Sequence, residues 1–123
     1  MTRGRVDARR VAVVRLPVRG RGGATAEIDV TLDTGFNGAL TLPAAAIEML
    51  DLNPLFSSEA TLADGSVRQF AVFAAEAELD GTWWSVFVSA IGEEALIGME
   101  LLEGFRVRID VVSDGAVEIE RIP

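Results

Sequence analysis

The chain has 123 residues, which is enough for one domain with a buried core but too few for two such domains. Half of its residues are hydrophobic, so a folded domain is expected and disorder is not. It contains no cysteine and no histidine, which excludes disulfides, thiol and Ser-His nucleophiles, and the commonest zinc ligand. Carboxylates are therefore the groups that remain for acid-base chemistry.

The net charge is -8 at pH 7, and it is distributed unevenly along the chain. Residues 1–21 hold seven Arg and one Asp, whereas the rest of the chain holds four Arg and 18 acidic residues. We expect residues 1–10 to be a basic, solvated tail and residues 11–123 to be the single domain. A nucleic-acid-binding arm is less consistent with the sequence, because no aromatic residue is interleaved with these arginines and the acidic body repels phosphate.

No apolar run approaches the ~18 residues that a membrane-spanning helix needs. The arginine-rich start also lacks the long apolar segment and the cleavage-like site of a secretory signal. The sequence therefore predicts a cytoplasmic protein with neither membrane nor nucleic acid among its partners. The absence of Lys and the abundance of Ala, Arg, Gly and Val indicate a GC-rich, bacterial genome.

The first half of the chain predicts two strands and a short helix. Residues 11–18 form the first strand, and a Gly-rich turn leads into a return strand at residues 24–33, where apolar and polar residues alternate. This second strand ends at Asp33. Residues 43–50 predict a short helix, with Pro43 suited to its first turn.

Strands dominate the middle of the chain. The predicted strands are residues 56–63, 66–74, 76–80 and 82–90. The dipeptides Asp64–Gly65 and Asp80–Gly81 are both signals for two-residue hairpin turns. Trp83 and Trp84 are adjacent on one strand and must face opposite sides, so we expect one in the core and the other near the surface.

The end of the chain continues the pattern of short elements. A strand at residues 95–98 precedes a helical turn at 99–103, and strands at 105–111 and 116–122 are joined by the turn Ser113–Gly115. Many short strands with closely spaced turns predict an all-β barrel or sandwich with one or two short helices.

An aspartate at the end of an apolar strand is costly to bury unless it is used, and here Asp33 is followed by Thr34 and Gly35. This Asp-Thr-Gly triplet resembles the active-site triplet of the aspartic peptidases, in particular the single-lobe retropepsin-like group. The segment Ala95–Leu102 resembles the hydrophobic-hydrophobic-Gly segment of that family and the short helix after it. Ala63–Ser66 lies where the family has its flap hairpin.

The resemblance covers residues 11–120 and implies a closed acid-protease barrel that is active as a two-fold homodimer. Two Asp carboxylates a few Å apart cannot both ionise, so one activates a water while the other donates a proton to the peptide carbonyl. Such chemistry needs no metal and no cofactor. Only one triplet is present, so the second carboxylate must come from Asp33 of another copy. The implied activity is that of an aspartic endopeptidase acting on peptide or protein substrates.

The resemblance also implies roles for the residues around Asp33, the catalytic carboxylate. Thr34 would hydrogen-bond the loop of the second copy, and Gly35 would allow a tight turn. Ile97 and Gly98 would pack behind the loop, where no Cβ fits at Gly98. The implied substrate-binding residues are Phe36, Asn37 and Gly38 in the loop and Ala63, Asp64 and Gly65 at the flap tip.

Two features depart from the family pattern. Phe36 stands where Ala or Ser is usual, and its bulk is expected to narrow or redirect the substrate groove. The flap is short, and Asp64 in its turn would bring two extra carboxylates over a dimeric site. These departures favour the alternative of a catalytically weak or inactive module of the same fold that binds peptides or dimerises. A structural subunit whose basic tail docks a partner is a third possibility, and Asp33 could simply cap its own turn.

Overall fold

A computed structural model describes all 123 residues as a ten-stranded sheet with two short helices. The strands are β1 (Thr2–Val6), β2 (Ala12–Arg19), β3 (Thr25–Leu32), β4 (Leu40–Thr41), β5 (Asn53–Thr61), β6 (Val67–Leu79), β7 (Thr82–Ser89), β8 (Leu96–Ile97), β9 (Phe105–Ile109) and β10 (Ala116–Arg121). The helices are α1 (Ala44–Met49) and α2 (Met99–Leu102). The predicted all-β class with one or two short helices is confirmed. Neither helix is long and apolar enough to cross a membrane.

The strands follow the order β5-β6-β7-β4-β8-β3-β2-β1-β10-β9 across the sheet. A further pairing joins β6 to β2, so that β6, β7, β4, β8, β3 and β2 form a closed circuit in which each strand pairs with the next. Most neighbours are antiparallel, but β8 runs parallel to β3, and β4 runs parallel to β7. The two shortest strands, β4 and β8, therefore sit next to each other within this circuit.

One cluster of 22 buried hydrophobic residues forms the core. Alternate positions of the strands supply it, as in β2, where Val14, Leu16 and Val18 are fully buried. The two helices cover it with Ile47 from α1 and Leu102 from α2. Burying a side chain such as Leu16 contributes about 1.5–3 kcal/mol relative to leaving it exposed, so the core is the main support for the loops that leave it.

The prediction of a basic tail at residues 1–10 is wrong, because β1 lies within the sheet between β10 and β2. Its arginines face acidic residues from the far end of the chain, as where Arg3 lies opposite Glu118. Close approach to β2 requires Gly4, since a Cβ there would lie 2.0 Å from the carbonyl oxygen of Val13. The positive charge at the start of the chain is thus partly neutralised by strand pairing.

The long hairpin differs from the prediction in two ways. β6 is one strand of 13 residues rather than two, because no Gly or Pro interrupts it and its ends pair with different neighbours, β5 and β2. Its turn is longer than two residues: the N–H of Leu62 donates to the carbonyl of Ser66, and Gly65 has a φ of +84°. The second predicted turn, Asp80–Gly81, is confirmed, with positive φ at both residues as a type I′ turn requires.

Trp83 and Trp84 point to opposite faces of β7, as their adjacency predicts. Trp84 packs against the core and meets Phe105 edge to face, with 5.7 Å between ring centroids. Its indole N–H donates to the carbonyl of Leu79 at 3.2 Å. Trp83 lies beneath the guanidinium of Arg19, which is 4.1 Å from the ring centroid. Both rings are half-buried, so the expected contrast between a core and a surface tryptophan is weaker than predicted.

Candidate active site

The loop that carries the Asp-Thr-Gly triplet connects β3 to β4 and passes the end of β8. β8 lies between these two strands, parallel to β3 and antiparallel to β4. Asp33 directly follows β3, and its N–H donates to the carbonyl of Ile97 at 3.0 Å. The backbone that bears the Asp33 carboxylate is therefore fixed by a neighbouring strand of the core.

The rest of the loop is tied to the start of α2 by backbone hydrogen bonds. The N–H of Gly98 donates to the carbonyl of Ala39 at 2.9 Å. The N–H of Met99 donates to the carbonyl of Phe36 at 2.8 Å, and the N–H of Glu100 donates to the carbonyl of Gly38 at 3.2 Å. The first N–H groups of a helix have no acceptor inside the helix. The loop carbonyls supply those acceptors, so the loop and the helix hold each other in place.

The ring of Phe36 packs against two glycines. A Cβ on Gly38 would lie 2.5 Å from Cζ of this ring, and a Cβ on Gly98 would lie 2.5 Å from its Cδ2. Gly98 is also close to backbone, since its Cβ would lie 2.2 Å from the carbonyl oxygen of Gly38. The φ of Gly98 is -110°, so space rather than backbone conformation requires glycine here. The bulk of Phe36 is taken up partly by the loop itself, and its expected effect on a substrate groove stays a prediction.

The carboxylate of Asp33 is half-buried and makes one hydrogen bond within the chain. Its Oδ1 accepts the N–H of Gly35 at 2.9 Å, and no arginine pairs with it. A Cβ on Gly35 would lie 3.2 Å from the same oxygen, so glycine makes room for this contact. Asp33 does cap its own turn, but this uses one oxygen and leaves Oδ2 available to a water or a second carboxyl group.

Thr34 and Asn37 are exposed on the same loop. Neither side chain makes a hydrogen bond within the chain, unlike Asp33. The predicted partners of these two residues are a second copy and a substrate, so their roles stay predictions.

The flap tip, Ala63–Gly65, is exposed, and its hydrogen bonds remain within its own turn. Oδ1 of Asp64 accepts the hydroxyl of Ser66 at 2.6 Å and the N–H of the same residue at 2.9 Å. These two bonds hold the pKa of Asp64 below its usual range. No hydrogen bond joins the tip to the loop at Asp33, so the chain by itself does not bring these two groups of predicted site residues together.

Thr41 supports the site, although nothing in the sequence pattern singles it out. It is the one buried polar side chain, with 1% exposure. Its hydroxyl donates to the carbonyl of Glu94 at 2.9 Å and accepts the N–H of Leu96 at 3.0 Å. Thr41 thus fixes the entry of β8 against β4. A threonine between two leucines is a weak signal, because such a residue more often faces solvent.

A solved structure similar to the chain is that of a retropepsin-like aspartic protease from Rickettsia conorii. The two are 18% identical with a TM-score of 0.49, and the overlap covers 92% of this chain and 96% of that one. Similarity at this level carries no argument about family or activity. No protein-family model and no curated protein matches the chain. A functional interpretation therefore depends on the residues and geometry of this chain.

Proposed function

We propose that the chain is an aspartic endopeptidase of the retropepsin-like type, which hydrolyses peptide bonds through a water activated by two Asp33 carboxylates. The observation that carries the proposal is the setting of Asp33 itself. One oxygen is held by the N–H of Gly35, the other has no partner, and the backbone beneath is bonded to Ile97. Acid-base catalysis needs a carboxylate that is fixed in position and has an oxygen accessible to a water or substrate.

A single Asp33 is half of such a site. It can take a proton from water, but the peptide carbonyl needs a second acid to donate to its oxygen. The chain has one Asp-Thr-Gly triplet, so in this proposal the second carboxylate is Asp33 of another copy across a two-fold axis. Thr34 and Asn37 are exposed beside it with unpaired side chains, which suits contacts with the loop of the second copy and with substrate.

The proposed reaction follows from the shared proton. Two carboxylates in contact hold one proton between them, because two negative charges at that distance repel. The ionised carboxylate removes a proton from water as the water oxygen attacks the carbonyl carbon, and the protonated carboxyl gives its proton to the carbonyl oxygen. The tetrahedral intermediate then breaks its C–N bond: the leaving amine takes a proton from one carboxyl group while a hydroxyl of the intermediate returns its proton to the other, which restores the shared proton. The β5–β6 hairpin closes over the cleft and excludes bulk water.

The alternative is a weakly active or inactive module of the same fold that binds an extended peptide or dimerises. Phe36 and Asp64 favour it. Phe36 occupies the position beside the triplet, and Asp64 is held as an anion by Ser66 at the flap tip. In a dimer, two such tips would add negative charge above the carboxylates.

The variant Asp33→Asn distinguishes an endopeptidase from a peptide-binding or dimerising module. We expect light scattering across a dilution series to find a dimer for both wild type and variant, and a peptide library to be cleaved by wild type alone. The variant should lose activity by roughly 10³-fold or more, because the shared proton and the base are lost together. Asp114→Asn is the matched control, since Asp114 also precedes a glycine but lies in the turn before β10. A strict monomer at micromolar concentration, or no cleavage by wild type from acid to neutral pH, would favour the module.

A further inference from the structure

One edge of β7 is uncovered along most of its length. Its first edge pairs with β6 throughout, but on the second edge β4 reaches only Val88 and Ser89. Along an antiparallel pair of strands, residues that hydrogen-bond to the partner strand alternate with residues that do not. The two-residue turn makes Thr82 the first residue of β7 that hydrogen-bonds to β6. Trp83 and Ser85 therefore direct their N–H and C=O groups away from β6. No other strand, turn or side chain supplies partners for them.

A groove of about 800 Å³ runs beside this edge, and we name it the β7 groove. Its apolar lining comes from Trp84, Val86 and Phe87 of β7 and from Leu101 and Phe105, and the rings of Trp84 and Phe105 are in contact within it. Its volume lies within the ~300–1,000 Å³ that is usual for binding sites. About half of its lining residues are hydrophobic, and six are charged. None of the residues predicted for the catalytic loop or the flap tip lines it. Ala39 and Glu100, which lie next to that loop, do, so the groove adjoins the candidate active site without including it.

The two outer edges of the sheet are protected, unlike this one. β5 carries Pro54 and an irregular register next to it. β9 carries Arg106 and Arg108, which pair with acidic residues. Proline, charge and bulges are the usual means by which edge strands avoid adding another strand. Residues 82–87 have none of these, so this edge is open to strand addition.

The polar groups of the β7 groove favour an acidic occupant at one end. The guanidinium of Arg121 lies 5.2 Å from the ring centroid of Trp84, and Arg21 also lines the groove. Neither guanidinium forms an ion pair, whereas most other arginines of the chain do, although the charge of Arg121 helps to lower the pKa of Asp80. Glu76, which pairs with Arg19, also lines the groove, as do Glu100 and Glu103. An acidic group near Trp84 would compensate the charges of Arg21 and Arg121, and apolar groups suit the hydrophobic part of the lining.

We propose that the β7 groove docks an extended peptide segment of another protein, which adds a strand to β7. The backbone of the segment bonds the free N–H and C=O groups of Trp83 and Ser85. Alternate apolar side chains enter the groove, and an acidic side chain contacts Arg21 and Arg121. This docking is independent of hydrolysis at Asp33.

Binding can be followed by the fluorescence of the two tryptophans, because both lie on β7. The probes are acetylated hexapeptide amides, Glu-Thr-Leu-Thr-Leu-Thr and the reversed sequence, in which the acid and the leucines share one face of the strand. Both are needed, since parallel and antiparallel addition put the acid at opposite ends. We expect one of the two to shift the emission and to saturate. The same peptide with Lys in place of Glu should bind about tenfold more weakly, and a version N-methylated at alternate residues should not bind.

Variants of the protein test the edge and the charge separately. Ser85→Pro removes an N–H that faces the groove and leaves the ladder to β6 intact, so affinity should fall about tenfold. Ser85→Ala keeps that N–H and should bind as wild type does. Arg21→Glu should weaken the acidic probe about tenfold, whereas Arg10→Glu, at an exposed arginine without an ion pair, should not.

Equal affinity of wild type and Ser85→Pro, or of the Glu and Lys probes, would overturn the proposal. Conversion of a dimer to a monomer by Ser85→Pro would also overturn it, because a second copy would then occupy the edge. If Ser85→Pro does not fold, the N-methylated probe and Arg21→Glu decide the same question on a folded protein.

Discussion

Asp33 and Asp64 make the same local contact in very different surroundings. Each carboxylate accepts, at 2.9 Å, the N–H of the residue two positions later, Gly35 and Ser66 respectively. The loop at Asp33 is then bonded to β8 and α2, whereas the turn at Asp64 is exposed and bonds only to itself. The local turn is thus common to both, and the contacts behind it decide how rigidly the carboxylate is held.

Gly98→Ala should have the largest effect, because it disturbs the packing that holds the loop at Asp33. The new Cβ would lie 2.2 Å from the carbonyl oxygen of Gly38, so the loop or α2 must move. We expect the free energy of unfolding in urea to fall by about 3 kcal/mol. Gly22→Ala is the control, because nothing lies within 4 Å of its Cβ, and it should change stability by less than about 1 kcal/mol. Similar small changes for both variants would mean that packing does not fix the loop.

Substitutions at Phe36 and Gly38 should lower the free energy of unfolding by smaller amounts, and the two losses should be coupled. The three nearest neighbours of a Cβ on Gly38 all belong to the ring of Phe36. Gly38→Ala and Phe36→Ala should each cost about 2 kcal/mol, but the double variant should cost about 1–2 kcal/mol less than their sum. Urea unfolding of the four proteins measures this coupling. Strictly additive losses would contradict the contact between the ring and the glycine.

Ser66→Ala should have the smallest effect, confined to the flap tip. Loss of the hydroxyl bond should raise the pKa of Asp64 toward its ordinary value, as measured by NMR of the carboxyl carbon. Because the folded-state pKa is lowered, the stabilisation from Asp64 is present above the ordinary pKa of an aspartate and is lost as the pH falls through the folded pKa. Ser113→Ala, at an exposed serine without hydrogen bonds, is the control and should leave Asp64 unchanged. An unaltered Asp64 pKa in Ser66→Ala would rule out the hydroxyl bond as its cause.

Much of the fold could be predicted because its signals are local. Period-2 alternation located most strands, and Asp80–Gly81 identified a two-residue turn by residue type. β1 could not be predicted in this way, because the partner that neutralises Arg3 is Glu118, at the other end of the chain. A segment rich in arginine looks solvated until its acidic neighbour is known.

The candidate site shows the same distinction between features with a local sequence signal and features that depend on distant contacts. The position of Asp33 at a strand end follows from the alternation before it, and the need for glycine at position 98 follows from the resemblance. The packing of Phe36 onto the loop and the buried hydroxyl of Thr41 depend on contacts between segments distant in sequence. Such contacts leave no periodic signal in the sequence.

The central claim is that two copies of Asp33 form one catalytic site. It is tested most directly by mixing wild type with Asp33→Asn at constant total protein concentration, allowing subunits to exchange, and measuring peptide cleavage. If each site needs both carboxylates, activity falls as the square of the wild-type fraction, so an equal mixture retains about a quarter of the wild-type activity. Retention of about half, which is expected if each copy acts alone, or of about three-quarters, which is expected if one Asp33 suffices in a shared site, would contradict the claim.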